Sequence, residues 1–417
     1  MRREIDWLTD KAEQAPGETF LIQGDEPLSY LEVAERVADR VAVLGDRSGT
    51  QLVVKPRMDV ESVVELLAVP MTGATAVVVA PERPDTAFLV EQALSDRRPA
   101  HTILFTSGSS GEPKGVRLSA DNWDSAARAS AEHLGHRSGQ RWLCVLPLHH
   151  VGGLSIIYRA LFSGGAVVLE SDPDLAARWL DRVEWASLVP TQLYRILSKR
   201  TDSFTSSPRV LLGGGPADSV LIERGLAAGL EVLGTFGMTE TTSQVATAQQ
   251  PGGPLMPLPG VDIDIDATSR IRVRGSTVML GYVGKEELDG EFLTSDRGRI
   301  HPDGSLQVLG RVDRVIITGG EKVDPSSVEA LVAGQRGVSE VAVLGIPDPE
   351  WGERVVALLV GDAHPSDLVA ALRLSVPPFA IPKQWVRVGA IPRTDLGKFD
   401  MNAAIALFNQ TTGDASV

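Results

Sequence analysis

RVLLGGGPADSVLIERGLAAGLEVLGTFG, residues 209–237, is the stretch from which the fold can be read. It opens on an apolar run of strand length (209–215), breaks at Gly and Pro, continues at helical spacing over 217–228, and closes on a second apolar run, LEVLGTFG (230–237). An apolar run without alternation is buried on both faces, and two such runs joined by a helix make a βαβ unit of a parallel sheet. The same grammar extends outward. WLCVL (142–146), GAVVLE (165–170) and ASLVP (186–190) read as further buried strands, with crossover helices predicted over 155–162 and 191–199. Sheets of this kind bind ligands at the C-terminal ends of their strands.

After Pro259 the texture changes. VDIDIDA (261–267), RIRVRG (270–275), TVMLGY (277–282) and SLQVLGR (305–311) alternate at period two with turn residues between them, which predicts an antiparallel or barrel-like section. Beyond it, the strands VIIT (315–318), EVAVLGI (340–346) and RVVALLVG (354–361) and helices over 325–333 and 364–374 make a compact α+β segment. The expected architecture is therefore α/β: a large N-terminal domain, 1–311, with parallel-rich αβ layers plus a β-barrel-like section, and a small α+β C-terminal domain, 312–417.

Composition narrows the class. The 417 residues carry a net charge of −14 and are 43% hydrophobic, which fits an ordinary globular protein and excludes nucleic-acid binding by bulk charge. The single cysteine, Cys144, cannot form an intrachain disulfide, and no Cys/His spacing offers a zinc site. The first residues, MRREIDWLTDKAEQ, lack an apolar leader core, and the longest apolar runs, such as 76–80, fall far short of a membrane span. These features predict a soluble cytoplasmic protein.

The sharpest local signal is ILFTSGSSGEPKGVRLS, residues 103–119. An apolar run feeds a loop with Gly108, Gly111 and Gly115, hydroxyls at Thr106, Ser107, Ser109 and Ser110, and a cation at Lys114. Glycines let backbone N–H groups approach an anion, hydroxyls donate further hydrogen bonds, and a lysine supplies a point charge suited to phosphate. The loop is not a Walker A sequence, since Pro113 precedes Lys114 and Gly115 follows it. Lysine is scarce, eight of forty Lys+Arg residues, so its use at Lys114 and at Lys398, in the turn-forming IPRTDLGKFD (391–400), is notable.

Several blocks in order now carry a resemblance. TSGSSGEPKG, LPLHHVGGL (146–154), LLGGGP (211–216), TFGMTETT (235–242), FLTSDRGRI (292–300), GRVDRVIITGGEKVDPSSVE (310–329) and PRTDLGKFD (392–400) are similar to the signatures of the acyl-adenylate-forming superfamily. The likeness runs from about residue 100 to the end, and the first 100 residues match poorly and look shortened. Within the superfamily the blocks most resemble the o-succinylbenzoate:CoA ligases of menaquinone biosynthesis.

That resemblance implies an ATP-dependent reaction in which a carboxylate attacks the α-phosphate to give an acyl-adenylate and pyrophosphate, and coenzyme A then displaces AMP. It implies that Thr106, Ser107, Gly108, Ser109, Ser110, Gly111 and Lys114 hold the phosphates, that Thr239 contacts the α-phosphate, and that Glu240 binds Mg²⁺. Gly213, Gly214, Gly215 and Pro216 would line the adenine, Asp296 and Arg311 the ribose. His150, beside His149, would gate the acyl pocket, and Lys398 on a mobile C-terminal domain would reach the carboxylate and α-phosphate after rotation about Asp313. Gly319 and Gly320 would then line the pantetheine channel, although the pair also fits a hairpin turn. The block after Lys398 departs from the family, with Asp400 where a basic residue is common. The second carboxylate of a dicarboxylic substrate needs a cation, for which Arg159 and Arg195 stand nearest in sequence. Other aryl- or fatty-acyl-CoA synthetases, or a free-standing adenylation domain loading a carrier protein, remain alternatives, and a homo-oligomer is left open.

Overall fold

The computed structural model describes residues 6–81, 86–106, 113–200, 202–215, 219–394 and 399–413. The chain divides into two compact units: Met1–Asp264, Arg272–Leu293 and Ile300–Leu306 in the first, Ile265–Ile271, Thr294–Arg299 and Gln307–Val417 in the second.

In the first unit the predicted βαβ run is a parallel sheet. Strands Glu231–Met238, Arg209–Leu212, Trp185–Leu188, Arg141–Cys144, Ala166–Leu169 and Thr19–Gln23 lie side by side in that order, and every neighbouring pair is parallel. The antiparallel strand Ser243–Ala248 borders Glu231–Met238. Four-residue strands such as Ala166–Leu169 and Trp185–Leu188 are buried along their whole length, as the apolar runs require.

A second sheet lies outside the stretch from which parallel structure was expected. Gln51–Val54, Thr75–Val78 and Thr102–Phe105 are parallel, Gly115–Leu118 folds back antiparallel on Thr102–Phe105, and Gly281–Tyr282 adds antiparallel to Gly115–Leu118. These two antiparallel strands flank the Gly/Ser loop in sequence. The predicted strand 277–282 is corrected here. Only Gly281–Tyr282 pairs, and it joins this sheet rather than a barrel-like section. The reason lies in where its backbone bonds go: the Ser276 and Val278 carbonyls accept from the Asn122 side chain at 2.8 Å each, and Met279 N–H donates to the Glu240 carbonyl at 2.9 Å.

Helices Ala120–Leu134 and Val151–Ser163 pack against each other. Ser119 caps the first through a reciprocal capping box with Asn122, and Gly135 ends it in the left-handed conformation. Trp123 stacks on Tyr158 at 4.3 Å and donates to Thr102 Oγ1 at 3.0 Å, locking helix to helix and helix to hairpin. Rings as completely buried as Trp123, Trp142 and Trp185 each contribute on the order of 5 kcal/mol of apolar burial.

The second unit has its own core. Strands Glu321–Val323, Ile316–Thr318, Gly352–Gly361 and Val338–Asp348 follow in that order, and Gln384–Arg387 adds parallel to Gly352–Gly361. Helices Pro325–Ala333, Pro365–Leu372 and Met401–Thr412 supply Val328, Val332, Leu368, Leu372, Ala404 and Phe408 to the packing around it. The strands Asp262–Ile265, Arg270–Arg274, Glu291–Ile300 and Leu306–Arg311, corresponding to the alternating section, have residues in both units.

Candidate active site

The expected site residues of the first unit stand at strand ends. His149 and His150 follow Arg141–Cys144, Gly213 to Gly215 follow Arg209–Leu212, and Thr239 and Glu240 follow Glu231–Met238. These three parallel strands thus each deliver a polar or glycine-bearing loop from the C-terminal end.

The glycines show why these loops fit. A Cβ at Gly153 would lie 2.3 Å from the Leu146 carbonyl oxygen, so the helix that follows the histidines can start against its own strand only with glycine there. A Cβ at Gly213 would lie 2.7 Å from the Thr235 methyl, which packs the glycine turn against the strand leading to Thr239. His150 is the N-cap residue of Val151–Ser163, and its ring lies 4.2 Å from that of His149.

The turn bearing Glu240 is a single 3-10 turn, Thr239–Thr241. Thr241 Oγ1 accepts from Met238 N–H at 3.2 Å, and Thr242 and Ser243 follow at φ 52° and 91°. Such angles cost side-chain-bearing residues energy unless neighbours hold them. Here Thr242 donates to the Thr277 carbonyl at 2.8 Å, and the fully buried Arg159 donates to Ser243 Oγ at 3.0 Å. Burial lowers the Arg159 pKa to about 9, so it still carries its charge at neutral pH. Arg195, by contrast, is exposed on helix Pro190–Lys199.

Lys114 and Glu240, distant in sequence, converge on one side chain. The Lys114 ammonium lies 5.4 Å from the centroid of the Tyr282 ring, and the Tyr282 hydroxyl donates to Glu240 Oε1 at 2.9 Å. Thr106 stays with Lys114 at the loop end of the strand pair: its N–H donates to the Lys114 carbonyl at 3.0 Å. A Cβ at Gly115 would lie 2.7 Å from a Val283 methyl, so glycine lets the strand carrying Tyr282 close on the hairpin. Ser107, Gly108, Ser109, Ser110, Gly111 and Pro216 lie outside the described residues, as does Lys398.

Tyr282 was not singled out by the sequence reading. The available signal was weak: one of only four tyrosines, set in LGYVG. Glu240 is half-buried and offers one carboxylate, and no group of three or more His, Cys, Asp or Glu side chains able to hold a metal occurs among the described residues. This donor set fits Mg²⁺, which commonly takes one or two carboxylates and completes its shell with substrate phosphates and water.

In the second unit, Asp296 and Arg311 lie 3.6 Å apart as an ion pair, and Asp296 N–H donates to the hydroxyl of the fully buried Thr294 at 3.0 Å. Asp313 falls in the 3-10 turn Val312–Arg314. Gly319 and Gly320, at φ 59° and 83°, form the turn between Ile316–Thr318 and Glu321–Val323, and Gly319 N–H donates to the Trp351 carbonyl at 2.7 Å.

The chain matches the AMP-binding enzyme family over residues 89–283 and the AMP-binding enzyme C-terminal domain over 327–398. It is 30% identical to a 2-succinylbenzoate–CoA ligase of Bacillus licheniformis, with 94% of this chain and 97% of that protein covered. This protein belongs to the AMP-binding enzyme family. Among solved structures it is similar to o-succinylbenzoate CoA synthetase from Bacillus subtilis in complex with the acyl-adenylate intermediate OSB-AMP, with TM-score 0.84, 27% identity, and 95% and 97% of the two chains covered. The same relative in complex with ATP and a magnesium ion gives TM-score 0.85 at 26% identity, with 95% and 98% covered. The fold of this family member is thus that of the adenylate-forming enzymes. No helix among the described residues is long and apolar enough to cross a membrane.

Proposed function

We propose that the chain is an ATP-dependent, AMP-forming acid:CoA ligase whose acid is o-succinylbenzoate, in menaquinone biosynthesis. The observation that carries this reading is the convergence of Lys114 and Glu240 on Tyr282, beside strand ends that present Thr239, His150 and Gly213 to Gly215. The names of the relatives support the substrate.

In the first step negative charge gathers on the phosphates, so groups aimed there stabilise the transition state more than the ground state. Thr106, Ser107, Gly108, Ser109, Ser110, Gly111 and Lys114 cradle the β- and γ-phosphates, and Thr239 donates to the α-phosphate. Glu240 holds Mg²⁺, which when bound neutralises part of the triphosphate charge. Gly213, Gly214, Gly215 and Pro216 line the adenine. Asp296 accepts from the ribose hydroxyls, and the neighbouring Arg311 supports that contact. His150 borders the acyl pocket. Arg195 is the better partner for the second carboxylate, since the Arg159 guanidinium is buried and engaged with Ser243.

Lys398 supplies the ammonium that orients the carboxylate and the α-phosphate. Domains 1–311 and 312–417 pivot at Asp313 between the two half-reactions, after which Gly319 and Gly320 admit the pantetheine arm of CoA. The enzyme works in the cytoplasm on small molecules, without nucleic acid, and a homo-oligomer is compatible with this chemistry.

The test is a pyrophosphate-release screen over o-succinylbenzoate, other aromatic and dicarboxylic acids and fatty acids, each with and without CoA. The reading requires release with o-succinylbenzoate and thioester only when CoA is present. Activity confined to fatty acids, or pyrophosphate release with no thioester on addition of CoA, overturns it.

A further inference from the structure

We propose that Tyr282 is a positioning residue, which keeps the phosphate-loop lysine and the magnesium carboxylate apart while aiming both at one nucleotide. The proposal rests on the roles given above to Lys114 and Glu240.

An ammonium and a carboxylate beside the same ring attract each other, and a direct pair would neutralise both before a nucleotide arrives. Among the described residues no such ion pair joins Lys114 to Glu240; each has instead a partner on Tyr282. The ring presents its electron-rich face to the ammonium at 5.4 Å, and the hydroxyl donates to Glu240 Oε1 at 2.9 Å. The second carboxylate oxygen, Oε2, accepts no hydrogen bond among the described residues.

The surroundings fix Tyr282 in this role. It stands opposite Val116 in the strand pairing, and Val283 N–H donates to the Gly115 carbonyl at 2.8 Å. Gly281 adopts φ 136°, where a Cβ would meet the Glu286 carbonyl oxygen at 2.7 Å, so the bend into Tyr282 requires glycine. Beyond it, the fully buried Arg117 pairs with Glu287 at 3.0 Å, and Asp96 accepts from Gly284 N–H at 3.1 Å. Asp96 is held well below the usual carboxylate range, first by its hydrogen bonds from Arg98, so this anchor stays charged at any working pH. Met279 N–H completes the frame on the Glu240 carbonyl. A tyrosine clamped at both ends, with one charged group at each of its polar surfaces, is a spacer between them.

The experiment is calorimetric titration of the full chain with ATP, in magnesium and in EDTA, for wild type, Tyr282→Phe and Tyr282→Leu, with the melting temperature of each sample read alongside. Phe keeps the ring and its packing, so EDTA affinity stays within about twofold of wild type, while the gain in affinity on adding magnesium falls by about tenfold with loss of one charge-assisted hydrogen bond. Leu removes the ring as well, so ATP binding in EDTA also weakens, by about fivefold. In pyrophosphate release, Tyr282→Phe raises the magnesium requirement and leaves the KM for the acid unchanged. A wild-type magnesium gain in Tyr282→Phe overturns the proposal while the function above stands. Absence of ATP binding by wild type in both buffers overturns the function, and the role of Tyr282 with it.

Discussion

A Cβ placed on Gly237 would stand 1.8 Å from the carbonyl oxygen of Ser243, so the strand entering the Thr239–Thr241 turn and the chain leaving it close on each other across a bare glycine. The two residues after the turn already hold positive φ, and further displacement has nowhere to relax. Gly237→Ala therefore forces the backbone apart at the base of Glu240, costing about 1 to 3 kcal/mol of stability. A shift of about 1 Å in Thr239 and Glu240 lowers pyrophosphate release by about a hundredfold. Gly389→Ala, where an added Cβ meets nothing within 4 Å, serves as the control and leaves melting temperature and rate near wild type. Equal rates for the two variants would show that the closure does not set the turn.

Lys398→Ala separates binding from chemistry. Its ammonium is assigned to the α-phosphate and carboxylate during adenylation, a contact worth roughly 3 to 4 kcal/mol in the transition state. Pyrophosphate release is expected to slow by two to three orders of magnitude by the same principle, about as far as loss of one oxyanion-hole donor does. ATP affinity, measured by calorimetry, stays within a few-fold. An unchanged adenylation rate removes Lys398 from the mechanism.

Cys144 is fully buried on the strand Arg141–Cys144, and burial pushes its thiol up to about 12. Since the thiolate is the reactive form, the native protein resists iodoacetamide at pH 8 and incorporates one equivalent per chain only in denaturant. Mass spectrometry reads both. Rapid labelling of the native chain would contradict the packing of this strand.

What the sequence disclosed follows from which interactions are local. The strand 209–212 and the helix after it are legible because an unbroken apolar run and a helical spacing each occupy consecutive residues, and helix Pro325–Ala333 coincides with its predicted span. The sheet of Gln51–Val54, Thr75–Val78 and Thr102–Phe105 was harder to see. Its strands are four residues long, and their partners lie about two dozen residues away. The run 277–282 alternates like a strand, yet several of its hydrogen bonds go to Asn122, Arg117 and Glu240. In the candidate site the motif residues were visible one by one. That Lys114 and Glu240 share a tyrosine was not, because nothing in LGYVG points to a carboxylate on another strand end.

His136 should make the fold acid-sensitive. It is 6% exposed, set edge-on against Trp142 at 5.0 Å, with Nδ1 2.7 Å from the Ser163 hydroxyl. That hydroxyl also lies 2.8 Å from the Arg159 carbonyl, which it can only donate to, so the imidazole carries its proton on Nδ1 and Nε2 is left without a hydrogen-bond partner. Burial first, and the Arg159 charge second, lower the pKa to about 4, offset in part by the Gln140 carbonyl. In the unfolded chain the imidazole returns to about 6.5. A depressed pKa favours the neutral form in the fold, so this stabilisation is complete above pH 6.5. It is lost as pH falls toward 4, when the unfolded chain takes up a proton that the folded one refuses. The full effect is about 3 kcal/mol, of which about 2 kcal/mol is lost by pH 5. His136→Gln has no titrating group here, so its melting temperature, although lower at pH 7.5, falls less than that of wild type between pH 7.5 and pH 5. Parallel curves for the two proteins would mean that other groups govern the acid limb.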